Sequence, residues 1–141
     1  MLFRFLSQFS DERVLAQEWT QRAFIKAFER IHQFSANSSF KTWLFTIGLN
    51  EMRSDNRKKW EFESFDASIH IEEESSFSPD DWMSARIAIR ALPAVQRMVF
   101  LLFEIEGYNH KEIAGMLNIK ENHSRVILTR AKKELTQRIH Q

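Results

Sequence analysis

GYNHKEIAGMLNIKENHSRVILTRAKKEL, residues 107–135, has the spacing of a helix-turn-helix, and the rest of the chain reads as its platform or its partner. Gly107 can take a left-handed conformation after the apolar stretch that precedes it, and Asn109 followed by Glu112 makes a capping-box start for a short helix. The spacing predicts that helix over Lys111 to Leu117, with Ile113 and Leu117 on its buried face and Ala114 small enough for a second helix to cross closely. Asn118 tolerates the left-handed turn that must follow, and Ile119 is an apolar peg back into the core. A second helix is expected from Glu121 to Arg138. It carries Asn122, His123, Arg125, Thr129 and Arg130 ahead of the basic pair Lys132 and Lys133, which suits a helix end in the major groove with its flank on phosphates. The same spacing also fits a helical hairpin with a solvated basic face in a purely structural bundle.

Upstream, Ala85, Ala88, Ile89 and Leu92 share a helical face, and Pro93 opens a further helix at a position where its missing N–H costs nothing. Val95, Met98, Val99, Leu102 and Phe103 are expected to bury that helix against the helix-turn-helix. In the first half, Leu2, Phe5, Leu6 and Phe9 recur at helical spacing over Met1 to Phe9. A longer helix follows from about Asp11 to Ile31, with Ser10, Asp11 and Glu12 favourable at its start. Trp19, Ala23, Phe24, Ala27, Phe28 and Ile31 point to a core, and Glu18, Gln21, Arg22 and Lys26 lie on its other face. The polar break FSANSS, residues 34–39, then caps a helix from Phe40 whose apolar face is Phe40, Trp43, Leu44 and Ile47 and whose end is basic in Arg53, Arg57, Lys58 and Lys59. An aromatic start, a basic end and a short polar loop can grip phosphates and shelter an unstacked base; they are equally consistent with core aromatics and a solvated basic face.

The net charge of +1 hides a partition: residues 1–60 carry 10 Lys and Arg against 6 Asp and Glu, residues 61–81 carry 8 acidic residues and no Lys or Arg, and residues 82–141 carry 10 against 5. Two basic units flanking an acidic, aperiodic connector suit a protein that holds a polyanion with both ends. The expected architecture is all-α: two small helical domains, 1–60 and 82–141, joined by an acidic flexible linker, 61–81, with the helix-turn-helix in the second. With 3 Gly, 2 Pro and 13 Phe the composition favours packed helices, and the absence of Cys removes disulfide frameworks and cysteine metal sites. No apolar run is long enough for a membrane span or a secretory signal, so a cytoplasmic location is expected. His32, His70, His110, His123 and His140 lack metal-ligand spacing, and no phosphate loop or nucleophile motif is present, so neither catalysis nor a cofactor is expected.

With both halves in view the chain resembles the extracytoplasmic-function sigma factors of the bacterial RNA polymerase sigma family. ALPAVQRMVFLLFEIEGYNHKEIAGMLNI, residues 91–119, resembles their region four; FSANSSFKTWLFTIGLN, residues 34–50, resembles the loop and helix of region two; AQEWTQRAFIKAF, residues 16–28, is similar to their polymerase-binding helix. The resemblance implies a promoter-specificity subunit that binds core RNA polymerase and promoter DNA, with an anti-sigma factor as a further partner. It implies that Asn37, Ser38, Ser39, Phe40 and Lys41, with Trp43, serve the melting region and hold a flipped base. Arg53, Arg57 and Lys58 would contact the backbone, Gln21 and Phe24 would meet polymerase, and Asn122, His123, Arg125 and Arg130 would face the upstream element. The chain departs from the family pattern at Arg22, where an acid is common, at Gly48, where Ala is common, and at Ser54, where Asp is common. In the second helix Ser124 replaces a frequent buried Val, Lys120 is a poor N-cap and Ile127 takes a usually polar place. The family's first helix is longer before the point where this chain begins, so part of region two is expected to be missing. Together with Arg22, that keeps open a second function: a sigma-like decoy that binds an anti-sigma factor or polymerase without initiating transcription.

Overall fold

The computed structural model describes residues 1–35, 37–61 and 82–139, and among these every regular element is a helix. The chain divides into two compact units, Met1–Phe62 and Glu63–Gln141. Residues 62–81, which hold nearly all of the acidic stretch read as a linker, lie outside the described residues.

In the first unit, α1 (Leu2–Leu6) tightens into a 3-10 turn (Ser7–Phe9), where the Ser7 hydroxyl donates to the Arg4 carbonyl at 2.7 Å. Leu2, Phe5, Leu6 and Phe9 are buried, as their spacing requires. The Glu12 N–H donates to the Ser10 hydroxyl at 3.0 Å, and α2 runs Arg13–Glu29. Its buried stripe is Ala16, Trp19, Ala23 and Ala27. Phe24, Phe28 and Ile31, expected in the core, are instead 51%, 82% and 52% exposed. Phe24 and Phe28 each follow an inward alanine by one residue, and one residue turns a helix by about 100°. Small side chains on the inner face let α3 approach closely, and the large ones are left outside.

Ser39 caps α3 (Phe40–Asp55), its hydroxyl accepting the Thr42 N–H at 3.1 Å. The buried face of α3 is Leu44, Phe45, Gly48, Leu49 and Met52. Of the expected face only Leu44 is buried; Phe40 is exposed, and Trp43 and Ile47 are half-buried. A Cβ at Gly48 would stand 2.9 Å from Leu2 Cδ1, so α1 seats over the spot where a methyl group is missing. Asn56 ends the helix with its side-chain amide on the Met52 carbonyl at 2.8 Å, and the basic tail continues on a separate helix, α4 (Arg57–Glu61). Polar ties fix α3 on α2: Asp55 Oδ2 accepts from Trp19 Nε1 at 2.7 Å and from Arg22 at 2.9 Å, and Lys26 pairs with the buried Glu51. Arg22 also lies 3.6 Å from Glu18, so its positive charge is balanced where the resemblance leads one to expect an acid.

In the second unit, α5 (Trp82–Ala91) buries Ala85, Ala88 and Ile89, followed by Leu92. Pro93 leads into α6 (Ala94–Phe100), which buries Ala94, Met98, Val99 and Phe100. Val95, expected inward, is exposed because the inner face begins one residue earlier, at Ala94. The helix then widens into a π-helical segment, Leu101–Ile105, closed by Glu106 N–H on the Leu101 carbonyl at 3.0 Å and Tyr108 N–H on the Leu102 carbonyl at 2.9 Å. Gly107 follows at φ +80°, the left-handed conformation its lack of a Cβ permits.

The helix-turn-helix is α7 (His110–Leu117) and α8 (Glu121–Ile139). Both halves of the capping box are present: Glu112 N–H on the Asn109 side chain at 2.8 Å and Asn109 N–H on the Glu112 carboxylate at 3.0 Å. Asn118 turns the chain at φ 57°, ψ 50°. Ile113 and Leu117 of α7 and Ser124, Ile127, Leu128, Ala131 and Leu135 of α8 are buried, and the two helices pack against each other. Loss of an N-cap costs about 1 kcal/mol. Asn109→Ala is therefore expected to lower the unfolding free energy of the second unit by about that amount, read from denaturant titration, while Asn109→Asp holds it, and an Asn109→Ala variant as stable as wild type would show that the box contributes nothing.

Candidate nucleic-acid interface

The inward face of α8 determines its outward one. Opposite Ser124, Leu128, Ala131 and Leu135 lie Asn122, Arg125, Thr129 and Lys133, spaced three or four residues apart and so aligned along one side of the helix. Asn122, Arg125 and Lys133 are exposed. Arg125 is held by Glu121 one turn back at 2.8 Å, and the Thr129 hydroxyl donates to the Arg125 carbonyl at 3.0 Å. His123 and Arg130 flank this line and are half-buried. Lys132 departs from the expected set: its ammonium is 3.0 Å from Glu104 and 5.9 Å from the centre of the Phe103 ring, so it is drawn back onto the π-helical segment.

His110, which sequence reasoning left out of the site, joins these elements. Its Nδ1 lies 2.9 Å from the hydroxyl of fully buried Ser124, and its ring stacks on Phe103 with centroids 4.6 Å apart. Burial, then the nearby Arg125 and Lys132, push its pKa below the usual histidine value, with Glu121 acting the other way. The signal was available in the sequence, since a Ser on the buried face of a helix needs a hydrogen-bond partner.

In the first unit the rings of Phe34, Phe40 and Trp43 form a cluster, with centroids 5.3 to 5.8 Å apart, beside exposed Asn37 and Ser38. Phe34 is an addition to the expected set. Ser39 is largely committed to its helix, since its hydroxyl also meets that of Thr42 at 2.9 Å. Lys41 lies 5.4 Å from the centre of the Phe45 ring. Arg57 and Lys58 are exposed on α4, whereas Arg53 is half-buried, with a pKa lowered by burial and by neighbouring Arg57. On α2, Gln21 and Phe24 stand on an exposed strip that continues through Ile25 and Phe28. Among the described residues no helix is long and apolar enough to cross a membrane.

This arrangement has counterparts among known proteins. Residues 1–62 match the family described as Sigma-70 region 2, and residues 84–135 the one described as Sigma-70, region 4. The ECF RNA polymerase sigma factor SigM of Bacillus subtilis is 27% identical over 140 residues, covering 95% of this chain and 85% of SigM. The ECF RNA polymerase sigma-E factor of Escherichia coli is 26% identical over 137 residues, covering 84% of this chain and 71% of that protein. The fold matches that of the sigma factor RpoE of Bartonella quintana, solved in complex with the anti-sigma factor NepR, with a TM-score of 0.76 and 24% identity over 99% of this chain and 89% of the other.

Proposed function

The chain belongs to the sigma-70 family of RNA polymerase sigma factors, in its extracytoplasmic-function branch, and on that premise we propose that its two units divide promoter recognition between them. The second unit reads the minus-thirty-five element through α8, with Asn122, Arg125 and Thr129 toward bases, Arg130 and Lys133 toward phosphates, and His123 at the edge. The first unit opens the minus-ten element. Phe40 and Trp43, backed by Phe34, stack on an extruded base, Asn37 and Ser38 offer it polar contacts, and Lys41, Arg53, Arg57 and Lys58 follow the backbone. Gln21 and Phe24 meet core polymerase, and an anti-sigma factor covering part of this surface is a further partner. The protein acts in the cytoplasm, where polymerase and DNA are, and works by binding rather than by catalysis.

The observation that carries this reading is the presence of an aromatic cluster, exposed at Phe40, in one unit and of a cap-defined helix-turn-helix in the other. Transcription in vitro with purified core polymerase and a promoter library tests it: sequence-selective initiation supports the reading, and no initiation from any promoter sinks it.

Arg125 and Lys133 separate base reading from phosphate holding. A base-contacting Arg contributes about 1–3 kcal/mol of discrimination, whereas a phosphate-contacting Lys strengthens all sequences alike. Arg125→Ala is expected to flatten the ratio of selected to random DNA affinity, and Lys133→Ala to lower both affinities while leaving the ratio intact. Equal losses in both variants on both DNAs would remove α8 as the reader.

A further inference from the structure

The proposed reading surface includes a histidine with no role in the scheme above. His110 is the first residue of α7, packs on the ring of Phe103 and bonds to Ser124 in the first turn of α8. When a reading helix enters the major groove, its first turn meets base edges and the preceding helix crosses the backbone. A residue joining the start of α7 to the start of α8 therefore lies where bases and phosphates meet. We propose that His110 is a proton-dependent phosphate-facing group of the second unit, so that promoter DNA binds more tightly as His110 becomes protonated. The inference rests on α8 being the reader.

The surroundings fit a group that is neutral in the free protein and charged in the complex. α8 contributes Glu121, Arg125 and Lys132 around the ring; the π-helical segment contributes Glu104, which Lys132 covers; α7 contributes Lys111 and Glu112, the latter engaged in the capping box. The two cations of α8 and burial disfavour a proton on His110 in the free protein, against the one carboxylate of Glu121. Glu121 is itself occupied by Arg125. Phosphates within reach of Arg125 would reverse that balance. The Ser124 hydroxyl donates to neutral Nδ1 and accepts from protonated Nδ1, so the joint between the helices survives the change. The face of Phe103 accommodates an imidazolium as it accommodates the Lys132 ammonium.

The sign follows from linkage. A pKa that is low in the free protein and raised by DNA makes binding take up a proton, so affinity grows as pH falls through the bound-state value and stops growing below the free-state value. A rise of about half to one unit corresponds to a gain of about three- to tenfold.

The experiment measures binding of the full chain to a duplex selected from a random library, by fluorescence anisotropy from pH 8 to pH 5 at fixed ionic strength. Wild type is expected to tighten about three- to tenfold across this range, and His110→Asn, which keeps a polar group toward Ser124 but no titrating charge, to lose that slope. His123→Gln, whatever its affinity, is expected to keep it. Because a variant can also fail by misfolding, the His110 ring is followed by NMR in wild type, where its pKa is expected to rise on adding DNA. An unchanged pKa, or a slope that persists in His110→Asn or disappears in His123→Gln, overturns the proposal and leaves α8 as the reader. An absence of selective binding at any pH removes both.

Discussion

Replacing Asn37 and Ser38 together by Ala is expected to abolish open-complex formation, read as loss of permanganate-reactive promoter thymines, while binding to core polymerase and to the upstream element stays within about twofold. Opening a duplex costs a few kcal/mol per unstacked base, and an initiating protein must recover it by holding the extruded base. The aromatic cluster of Phe34, Phe40 and Trp43 supplies the stacking surface, and Asn37 and Ser38 are the exposed polar groups beside it. Ser39 is a poor choice for this test despite its position, because its hydroxyl caps α3 and Ser39→Ala would cost about 1 kcal/mol of helix stability for reasons unrelated to DNA. Reactive thymines at wild-type level in the double variant would take base capture away from this loop.

Phe24→Asp should weaken binding to core polymerase by at least about 2 kcal/mol, or roughly 30-fold, since a buried aromatic anchor is worth that much at an interface and the new carboxylate would also be desolvated. The side chain is half exposed and outside the Ala16, Trp19, Ala23 and Ala27 stripe, so helical content and melting temperature should match wild type. Trp19→Ala is the contrasting variant: that side chain is fully buried and donates to Asp55, so its loss should unfold the first unit rather than detach it. Polymerase affinity unchanged by Phe24→Asp would move the interface off this strip.

What could be read from the sequence was what local chemistry dictates. Gly107, the Asn109 and Glu112 box and Asn118 each act on backbone within a few residues, and all of them behave as their residue types require. The inward faces were legible at Trp19, Ala23 and Ala27 of α2 and at Leu44 of α3, but ranking by size also puts Phe24, Phe28 and Phe40 inside, whereas close helix contact leaves them out and takes Ala16 and Gly48 instead. The site was legible as a set of candidates but not as a division of labour. Ser39 is engaged by its own helix, as the cap read from residues 34–39 requires, but Lys132 is captured by Glu104 and the partner of Ser124 is a residue of the preceding helix. Those last two are pairings between positions that no spacing rule connects.

The widened turn at Leu101–Ile105 bears on how chains of this kind can change length. A one-residue insertion in an ordinary helix swings everything beyond it by about 100°, which would carry a reading helix off its groove. Here the widened turn is the last of its helix, so an extra residue is held as a bulge just before the turn at Gly107 and need not be passed on to α7 and α8. The bulge also brings Phe103 and Glu104 to bear on His110 and Lys132. A relative with one residue fewer here would carry a regular helix and an alignment gap within 101–105, with its reader aimed as before but without one of those two contacts.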